Sequence, residues 1–403
     1  SVAKVLSNDS ALADSFAKVA AMHVTGTPVT GTGSVNLTEA GYYLIVDTTD
    51  VAGKLDAKNL TLLEVSGATT VTPQVKTDIP TVVKKVKDTN DTTGEPTDWQ
   101  DSADYDIGDT IPYKLTATLG NLEHFNSYYV EFVDTMQHLT YTGITSVKVD
   151  STTLSDSQYV VNWDADSKTL KVSIQDVKLY GATTNSLVTV EYNATLDSDA
   201  VIGSTGNPNE VYLIFSNNPN GNGTGETPKD KNIVFTYKVE ANKVDPELNA
   251  LPGAAFELLK KVGSDWVSKG VVNAHKDSTT GKYIIDDANA VTRFEWSGID
   301  DGTYRLVEVV TPDGYNTMEP LEFTVIATHD ETSDNPKLAS LTGDAFTGNI
   351  NTGTLTAKII NNRGTTLPGT GGIGTTIFYV IGGGLMIAAA VLLITKKRME
   401  NKN

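Results

Sequence analysis

The chain has 403 residues, a formal net charge of −19 and a sequence pI near 4.6. This excess of acid excludes nucleic acid and anionic lipid as general partners, because both are themselves negatively charged. Cysteine is absent and the five histidines are scattered, so the sequence predicts no disulfide, no metal site and no cofactor.

Short runs that alternate apolar and polar residues dominate the chain between its two ends. Examples are TIPYKLTATL, SLVTVEYNATL and TLTAKIINN, and clusters rich in Gly, Asn, Asp and Pro separate them. A period of two is typical of strands with one buried face. The sequence therefore predicts an all-β protein of tandem immunoglobulin-like β-sandwich domains, followed by one C-terminal transmembrane helix. Only DSALADSFAKVAAMH, near the start, predicts another helix.

Linker-like stretches near Pro73–Pro80 and Thr227–Asn232 divide the chain. The first segment is short for a sandwich, so we expect it to be a partial domain that lacks an N-terminal piece. The predicted units are 1–75, a partial N-terminal domain; 76–226, a middle sandwich; 227–364, a third sandwich; and 367–403, a C-terminal signal.

Three polar residues of the middle domain fall on the inward faces of predicted strands. Lys84 lies in the apolar row of TVVKKV, Asp134 in that of YYVEFVDTM, and Asn217 in that of EVYLIFSNN. If the register of a strand differed by one residue, its two faces would be exchanged and the adjacent residue would point inward instead. The alternatives are Lys85 for the lysine, Asn218 for the asparagine and Asp109 for the acid. Asp134 is preferred over Asp109, which precedes its strand and has the character of a turn residue.

The third domain repeats this pattern. Lys243 ends the apolar row of its first strand, Glu308 continues the row of YRLVE, and Asn361 ends the row of its last strand. An isolated buried charge costs several kcal/mol. Three such residues in one domain therefore indicate that they meet inside it.

A buried lysine beside a buried acid can perform chemistry. Burial lowers the pKa of a lysine and raises that of a carboxyl group, so the two can exist as neutral amine and neutral acid. The amine is then a nucleophile, and the acid can polarise an asparagine carbonyl and shuttle protons. The lysine would attack, ammonia would leave, and an amide would join the first strand to the last. Glu308 and Asp134 are the predicted acids of a single-turnover reaction.

The C-terminus has three consecutive parts. The pentapeptide LPGTG comes first, an uncharged run of membrane-spanning length from Gly371 to Thr395 follows, and the tail KKRMENKN is basic. The pentapeptide comprises Leu367, Pro368, Gly369, Thr370 and Gly371.

This tripartite end resembles the sorting signal of Gram-positive surface proteins. The resemblance implies that a sortase cleaves between Thr370 and Gly371 and joins the Thr370 carbonyl to an amine. The membrane is then a partner only through the span, before sorting, and the mature chain is anchored to peptidoglycan outside the cell.

The two sandwiches also carry a resemblance. KVDPELNALPGAAFELLKK, YRLVEVVTPDGYN and INNRGTTLPGTGG resemble the Cna-B-type domain of Gram-positive pilins and adhesins. The stretch from Pro80 to Pro219 is similar to the fimbrial isopeptide-forming middle domain of shaft pilins. The resemblance implies Cna-type sandwiches in which Glu308 is the catalyst of an isopeptide bond.

A pilus subunit also needs an acceptor lysine, which shaft pilins present in a YPKN-like motif between their first two domains. The corresponding stretch here, TTVTPQVKTDIP, contains Lys76 but no YPK triplet. Lys229, in TPKDKN, matches the triplet better but lies at the other junction. The resemblance implies Lys76 as the polymerisation lysine.

These features predict a structural subunit of a sortase-assembled surface pilus, with sortase, neighbouring pilin subunits and peptidoglycan as partners. The alternative is a monomeric wall-anchored adhesin that binds a host or matrix ligand. A multiple-turnover enzyme is not predicted, because GxSxG, HExxH and P-loop motifs are missing.

Overall fold

The computed structural model of the chain describes residues 79–364 apart from 92–93, 124 and 220–222, together with parts of the preceding segment: 12, 16–17, 19–20, 23–25, 27–30, 35–46 and 60–65. The described positions within the predicted N-terminal helix are helical. An antiparallel strand pair follows, β1 (Gly41–Val46) with β2 (Leu60–Val65).

Two facing sheets enclose the first core. The five-stranded sheet has the order β10 (Thr152–Thr153), β9 (Leu139–Val149), β13 (Leu187–Leu196), β7 (Thr110–Thr118) and β3 (Thr81–Val86). The facing sheet has the order β11 (Val160–Asp164), β12 (Thr169–Ile174), β8 (Val130–Met136), β14 (Asn207–Ser216), β16 (Asp230–Phe235) and β6 (Ser102–Asp104), with β15 (Thr224–Glu226) beside β14. A small ribbon of β4 (Thr89–Asn90) and β5 (Glu95–Pro96) and a 3-10 helix (Val177–Tyr180) complete this unit.

Two further sheets enclose the second core. One has the order β22 (Arg293–Ile299), β17 (Tyr237–Val244), β27 (Thr354–Ile360) and β26 (Thr347–Asn349). The other has the order β19 (Asp265–Val272), β18 (Ala255–Val262), β23 (Gly302–Val310), β24 (Leu321–His329) and β25 (Leu338–Gly343). A ribbon of β20 (Ala274–Lys276) and β21 (Tyr283–Ile285) lies outside both.

The alternating patterns produce these sandwiches directly. Along β7 and β14 every second residue is buried, so each strand has one face in the core and one toward solvent, as its period of two requires. The all-β class and the sandwich architecture predicted from the sequence are confirmed.

One predicted strand is divided in the structure. The alternation through Phe235, Tyr237 and Lys243 predicts a single first strand for the third domain, but Phe235 ends β16 and Tyr237 begins β17. At the break, the Thr236 hydroxyl donates to the Ile299 carbonyl (3.2 Å). The alternation of apolar and polar residues continues across Thr236, so the sequence pattern does not reveal the break.

The two cores are in contact through β16 and a nearby loop. Val234 is buried in the first core, whereas Ile233 and Phe235 are buried in the second. Gly203 has a φ of +94°, and a Cβ atom there would lie 2.6 Å from the backbone nitrogen of Gly353. Only glycine fits this approach, so the two sandwiches meet through close backbone packing.

Candidate functional site: two buried lysine–acid–asparagine clusters

The strand order of the third domain brings its predicted site together. Parallel strands β17 and β27 are neighbours, with Lys243 opposite Ile359, and Asn361 follows β27 on the same inward row. Glu308 lies on β23, in the opposite sheet. Lys243 and Glu308 therefore enter the core from two different strands, and Asn361 enters it from the residue that follows a third.

Asn361 and Glu308 are in direct contact, and Lys243 contacts the backbone beside them. The Asn361 amide nitrogen donates to both Glu308 oxygens, Oε1 at 2.7 Å and Oε2 at 2.9 Å. The Lys243 Nζ donates to the Ile359 carbonyl (3.0 Å). Lys243 and Asn361 are each 1% exposed and Glu308 is 6% exposed. The Asn361 amide oxygen makes no hydrogen bond to any described residue, so it is open to a donor.

Burial changes the protonation of this lysine. It lowers the pKa of Lys243 to about 8, against the opposing effect of the nearby Glu308 charge. About a tenth of the Lys243 side chains are then neutral amine at pH 7, and the neutral amine is the form that can act as a nucleophile.

The middle domain also brings its predicted lysine and acid together. Lys84 Nζ donates to Asp134 Oδ2 and to the Tyr192 hydroxyl (2.8 Å), and that hydroxyl donates to Asp134 Oδ2 (2.8 Å). Lys84, Asp134 and Tyr192 are all fully buried. Because both ionisable groups lack solvent, their protonation is controlled by each other and by the tyrosine.

Burial again favours the neutral forms. It lowers the pKa of Lys84, while the charge of Asp134 opposes the shift. It raises the pKa of Asp134, while the charge of Lys84 opposes that shift. Both shifts move the pair toward a free amine and a protonated acid.

The structure does not place Asn217 at this cluster. Strand β14 pairs with β8 so that Val211 lies opposite Asp134. Asn217 is six residues beyond Val211, which corresponds to roughly 20 Å along an extended chain. It is buried, but its backbone N–H donates to the Gly223 carbonyl (3.2 Å) at the far end of the strand.

Asn209 occupies the place predicted for Asn217. It is two residues from Val211 on the same inward face, is fully buried, and donates from its amide nitrogen to the Tyr192 hydroxyl (2.9 Å). It is close enough to Asp134 to affect the pKa of that carboxyl group. The Asn209 amide oxygen and Asp134 Oδ1 make no hydrogen bond to described residues, so a proton on Asp134 would supply the missing donor.

The sequence signal for Asn209 exists but is ambiguous. The row Asn207, Asn209, Val211 to Asn217 has asparagines at both ends, and only the pairing of β14 with β8 decides which end meets Asp134. A further asparagine, Asn232, lies opposite Asn209 on β16, fully buried with neither side-chain atom hydrogen-bonded to a described residue. Asn209 is the better partner because its contacts reach Tyr192.

The alternative residues lie elsewhere. Lys85 pairs with Asp101 (2.5 Å), and Asn218 lies beyond Asn217, farther still from Asp134. Burial raises the pKa of Asp109 to about 6, but the charges around it are those of Asp91, Asp106 and two lysines, not Lys84. Neither alternative acid nor alternative lysine joins the cluster.

Several predicted residues lie outside the described part of the chain. They are Lys76 and the pentapeptide Leu367, Pro368, Gly369, Thr370 and Gly371. The predicted span Gly371–Thr395 also lies outside it, and none of the helices within the described residues is long and apolar enough to cross a membrane. Lys229 is described: its side chain is 60% exposed and pairs with Glu210 (3.0 Å).

Three family models match successive parts of the chain. The Gram-positive pilin backbone subunit 2 model, a Cna-B-like domain, matches residues 107–219. The SpaA prealbumin-like fold model matches residues 237–337. The LPXTG cell wall anchor motif matches residues 360–401, and indicates attachment to the cell wall.

Curated and solved relatives agree with these matches. The trypsin-resistant surface T6 protein of Streptococcus pyogenes serotype M6 is 26% identical over 310 residues, which is 68% of this chain and 51% of that protein. The chain thus spans about half the length of this curated relative.

Two solved structures share the fold. The T6 backbone pilin of serotype M6 Streptococcus pyogenes superposes with a TM-score of 0.54 at 19% identity, over 88% of each chain. The full-length major pilin SpaD of Corynebacterium diphtheriae gives 0.51 at 19% identity, over 81% of this chain and 80% of that one. The present chain is therefore homologous to a Gram-positive backbone pilin, with a pilin-backbone domain and a SpaA prealbumin-like domain in front of an LPXTG cell wall anchor motif.

Proposed function

We propose that the chain is a shaft subunit of a sortase-assembled pilus anchored to the cell wall, and that a Lys–Asn isopeptide bond closes each of its two sandwich domains. One observation carries the proposal. Each sandwich buries a lysine, an acid and an asparagine in one cluster. In the middle domain Lys84 contacts Asp134, and Tyr192 contacts both Lys84 and Asn209. In the third domain Asn361 contacts Glu308, and Lys243 contacts the carbonyl of Ile359, two residues before Asn361. Burying a lysine and an acid costs several kcal/mol of stability, so such a cluster indicates a function that offsets this cost.

In the third domain the proposed bond joins Lys243 to Asn361. The neutral Lys243 amine attacks the Asn361 side-chain carbonyl carbon while protonated Glu308 donates to the carbonyl oxygen. The Asn361 amide presents its nitrogen to Glu308, and rotation of the amide plane by half a turn presents the oxygen instead. The Glu308 carboxylate then takes the proton that the attacking amine loses and delivers it to the leaving nitrogen. Collapse of the tetrahedral intermediate releases ammonia, and the oxygen gives its proton back to Glu308 as the carbonyl reforms. One amide and one ammonia result from one amine and one primary amide.

In the middle domain the proposed bond joins Lys84 to Asn209. Asp134 takes the part of Glu308, and Tyr192 holds the reactants, since its hydroxyl accepts from both Lys84 and Asn209 and donates to Asp134. Each reaction happens once, needs no cofactor and consumes its own side chains, so the chain is not a turnover enzyme. The sequence-based choice of Asn217 is replaced here by Asn209.

Anchoring would proceed through the LPGTG pentapeptide. A sortase cleaves after Thr370 and transfers the acyl group to an amine of a neighbouring subunit or of peptidoglycan. The double variant Leu367→Ala, Thr370→Ala is expected to remain in the membrane fraction, because the signal is no longer recognised and the span is retained. Fractionation into wall and membrane, followed by immunoblotting, measures this.

The matched control for anchoring is Thr365→Ala, Thr366→Ala, which changes the two residues before the pentapeptide and should leave wall attachment intact. Wall attachment that survives the Leu367→Ala, Thr370→Ala change would contradict sortase processing at this signal.

Polymerisation would use Lys76 as the acceptor amine. Lys76→Ala is expected to abolish the ladder of covalent, detergent-resistant multimers in the wall fraction while leaving single subunits anchored. Tandem mass spectrometry of the wild-type ladder should show the Lys76 amine joined to the Thr370 carboxyl group.

Lys229→Ala is the control for that experiment, because Lys229 is the competing candidate and is exposed. If Lys229→Ala lost the ladder and Lys76→Ala kept it, the acceptor would be Lys229, at the junction between the two sandwiches. A single wall-anchored band in the wild type would favour the monomeric adhesin, whose host ligand would then be sought.

A further inference from the structure

A second group of acidic side chains lies where the two sandwiches meet. Asp104 is on β6 of the first sandwich, whereas Asp300 and Asp301 form the turn between β22 and β23 of the second. One oxygen of each carboxylate lies within 4.8 Å of the others. Asp104 and Asp300 are buried, so three carboxyl groups share a space that water enters poorly.

The nearby cations are already engaged. Lys260 Nζ contacts Asp91 (2.5 Å), Asp106 (3.0 Å) and Asp300 (3.2 Å). His329 Nε2 lies 3.4 Å from Asp104 Oδ1, while its Nδ1 is hydrogen-bonded to Ser102. These contacts reach one oxygen of Asp104 and one of Asp300.

Two buried polar atoms beside the group have no hydrogen-bond partner among the described residues. One is Asp104 Oδ2, in a residue that is 3% exposed. The other is the hydroxyl of Tyr237, which is fully buried and lies next to Asp104, in the neighbourhood of Asp300 and Asp301. Buried polar atoms are almost always satisfied in folded proteins. An unpaired carboxylate oxygen and an unpaired hydroxyl beside two further carboxyl groups therefore point to a ligand that binds oxygen atoms.

We propose that Asp104, Asp300 and Asp301 bind a divalent cation of the calcium type at the junction of the two sandwiches, with the Tyr237 hydroxyl directed at the ion or at a water bound to it. Every donor is an oxygen, which suits a hard cation. Calcium tolerates irregular oxygen cages better than magnesium, which requires near-ideal octahedral geometry. Because the ligands come from both sandwiches, the ion would fix one against the other.

The neighbouring acidic group does not qualify as a second site. Asp91, Asp106 and Asp109 also cluster, but Lys260 and Lys269 both contact Asp106, at 3.0 and 2.5 Å. Two ammonium groups on one carboxylate already supply the positive charge that an ion would bring, whereas among the ion pairs of the described residues Asp300 has only a share of Lys260. The sequence-based prediction of no metal site considered cysteine and histidine. It did not consider this group, because Asp104 and Asp300 are far apart in the chain and no short motif contains them.

The test is calorimetric titration of the purified, chelator-treated chain with calcium chloride, together with terbium luminescence excited through tyrosine. We expect one site per chain, displacement of terbium by calcium, and a melting temperature that rises with calcium concentration. Asp301→Asn should weaken binding by at least about tenfold, and Asp104→Asn should do the same. Asp301 is partly exposed, so its variant should fold even if that of Asp104 does not.

The matched control is Asp109→Asn, in the lysine-neutralised group, which should bind calcium as the wild type does. The absence of binding at millimolar calcium in the wild type would overturn the proposal. Equal affinity in the wild type and in Asp301→Asn would overturn it too, because calcium would then bind elsewhere.

Discussion

Replacing Glu308 with alanine is expected to leave Lys243 and Asn361 unjoined. The intact mass, corrected for the substitution, should exceed that of the wild type by one ammonia. The bond closes a loop of more than a hundred residues, so its loss should cost roughly 4–5 kcal/mol of stability by the chain-entropy account of cross-links. This corresponds to a fall in the melting temperature of the third domain of roughly 15–25 °C. Mass spectrometry and scanning calorimetry measure the two effects.

The control for this variant is Glu322→Ala, on the neighbouring strand β24, where the side chain is exposed and pairs with Arg305. Like the wild type, it should be lighter than its sequence mass by the ammonia lost on bond formation. Its melting temperature should fall only slightly, because exposed ion pairs contribute little to stability. A Glu308→Ala chain that still loses ammonia in this domain would contradict the role of Glu308. A wild-type chain whose mass equals its sequence mass would remove the mechanism altogether.

Asn209→Ala is expected to have an effect of similar size in the middle domain. Lys84 would have no acyl donor, so the corrected mass should again rise by one ammonia, and trypsin resistance should fall in this domain while the third domain is largely unaffected. The stability loss includes the same cross-link contribution of roughly 4–5 kcal/mol. Peptide mapping after digestion should show Lys84 and Asn209 in one branched peptide in the wild type.

Asn217→Ala is the matched control, because it removes the same side chain from the same inward row at the other end of β14. It should retain the Lys84 cross-link. If Asn217→Ala lost the bond and Asn209→Ala kept it, the pairing of β14 with β8 would be wrong. If only Asn232→Ala lost it, the donor would lie on β16 instead.

The sequence predicts the faces of strands well and their pairing poorly. The period of two correctly placed Lys84, Asp134, Lys243, Glu308 and Asn361 inside the sandwiches, because alternation depends only on local backbone geometry. It could not choose between Asn209 and Asn217, which share a face. That choice depends on which residue of β8 lies opposite which residue of β14, and hydrogen bonds between distant segments decide it.

The third-domain cluster was easier to predict for a physical reason. Lys243 and Asn361 both lie at the ends of their apolar rows, and parallel neighbours such as β17 and β27 bring like ends together. The break at Thr236 and the acidic group at the junction left no local pattern. Both arise from contacts between the two sandwiches, and the residue pattern of a single strand carries no information about such contacts.

The parallel pairing of β17 with β27 has a mechanical consequence. Tension that enters before Tyr237 and leaves after Asn361 pulls these neighbours in opposite directions along their length, so the hydrogen bonds of the whole ladder bear the load together. With Lys243 joined to Asn361, the load would travel up β17, cross one amide and leave. The intervening chain, with a contour length of roughly 400 Å, would then carry no tension and could not be drawn out, so a filament of such subunits would resist stretching by its covalent path alone.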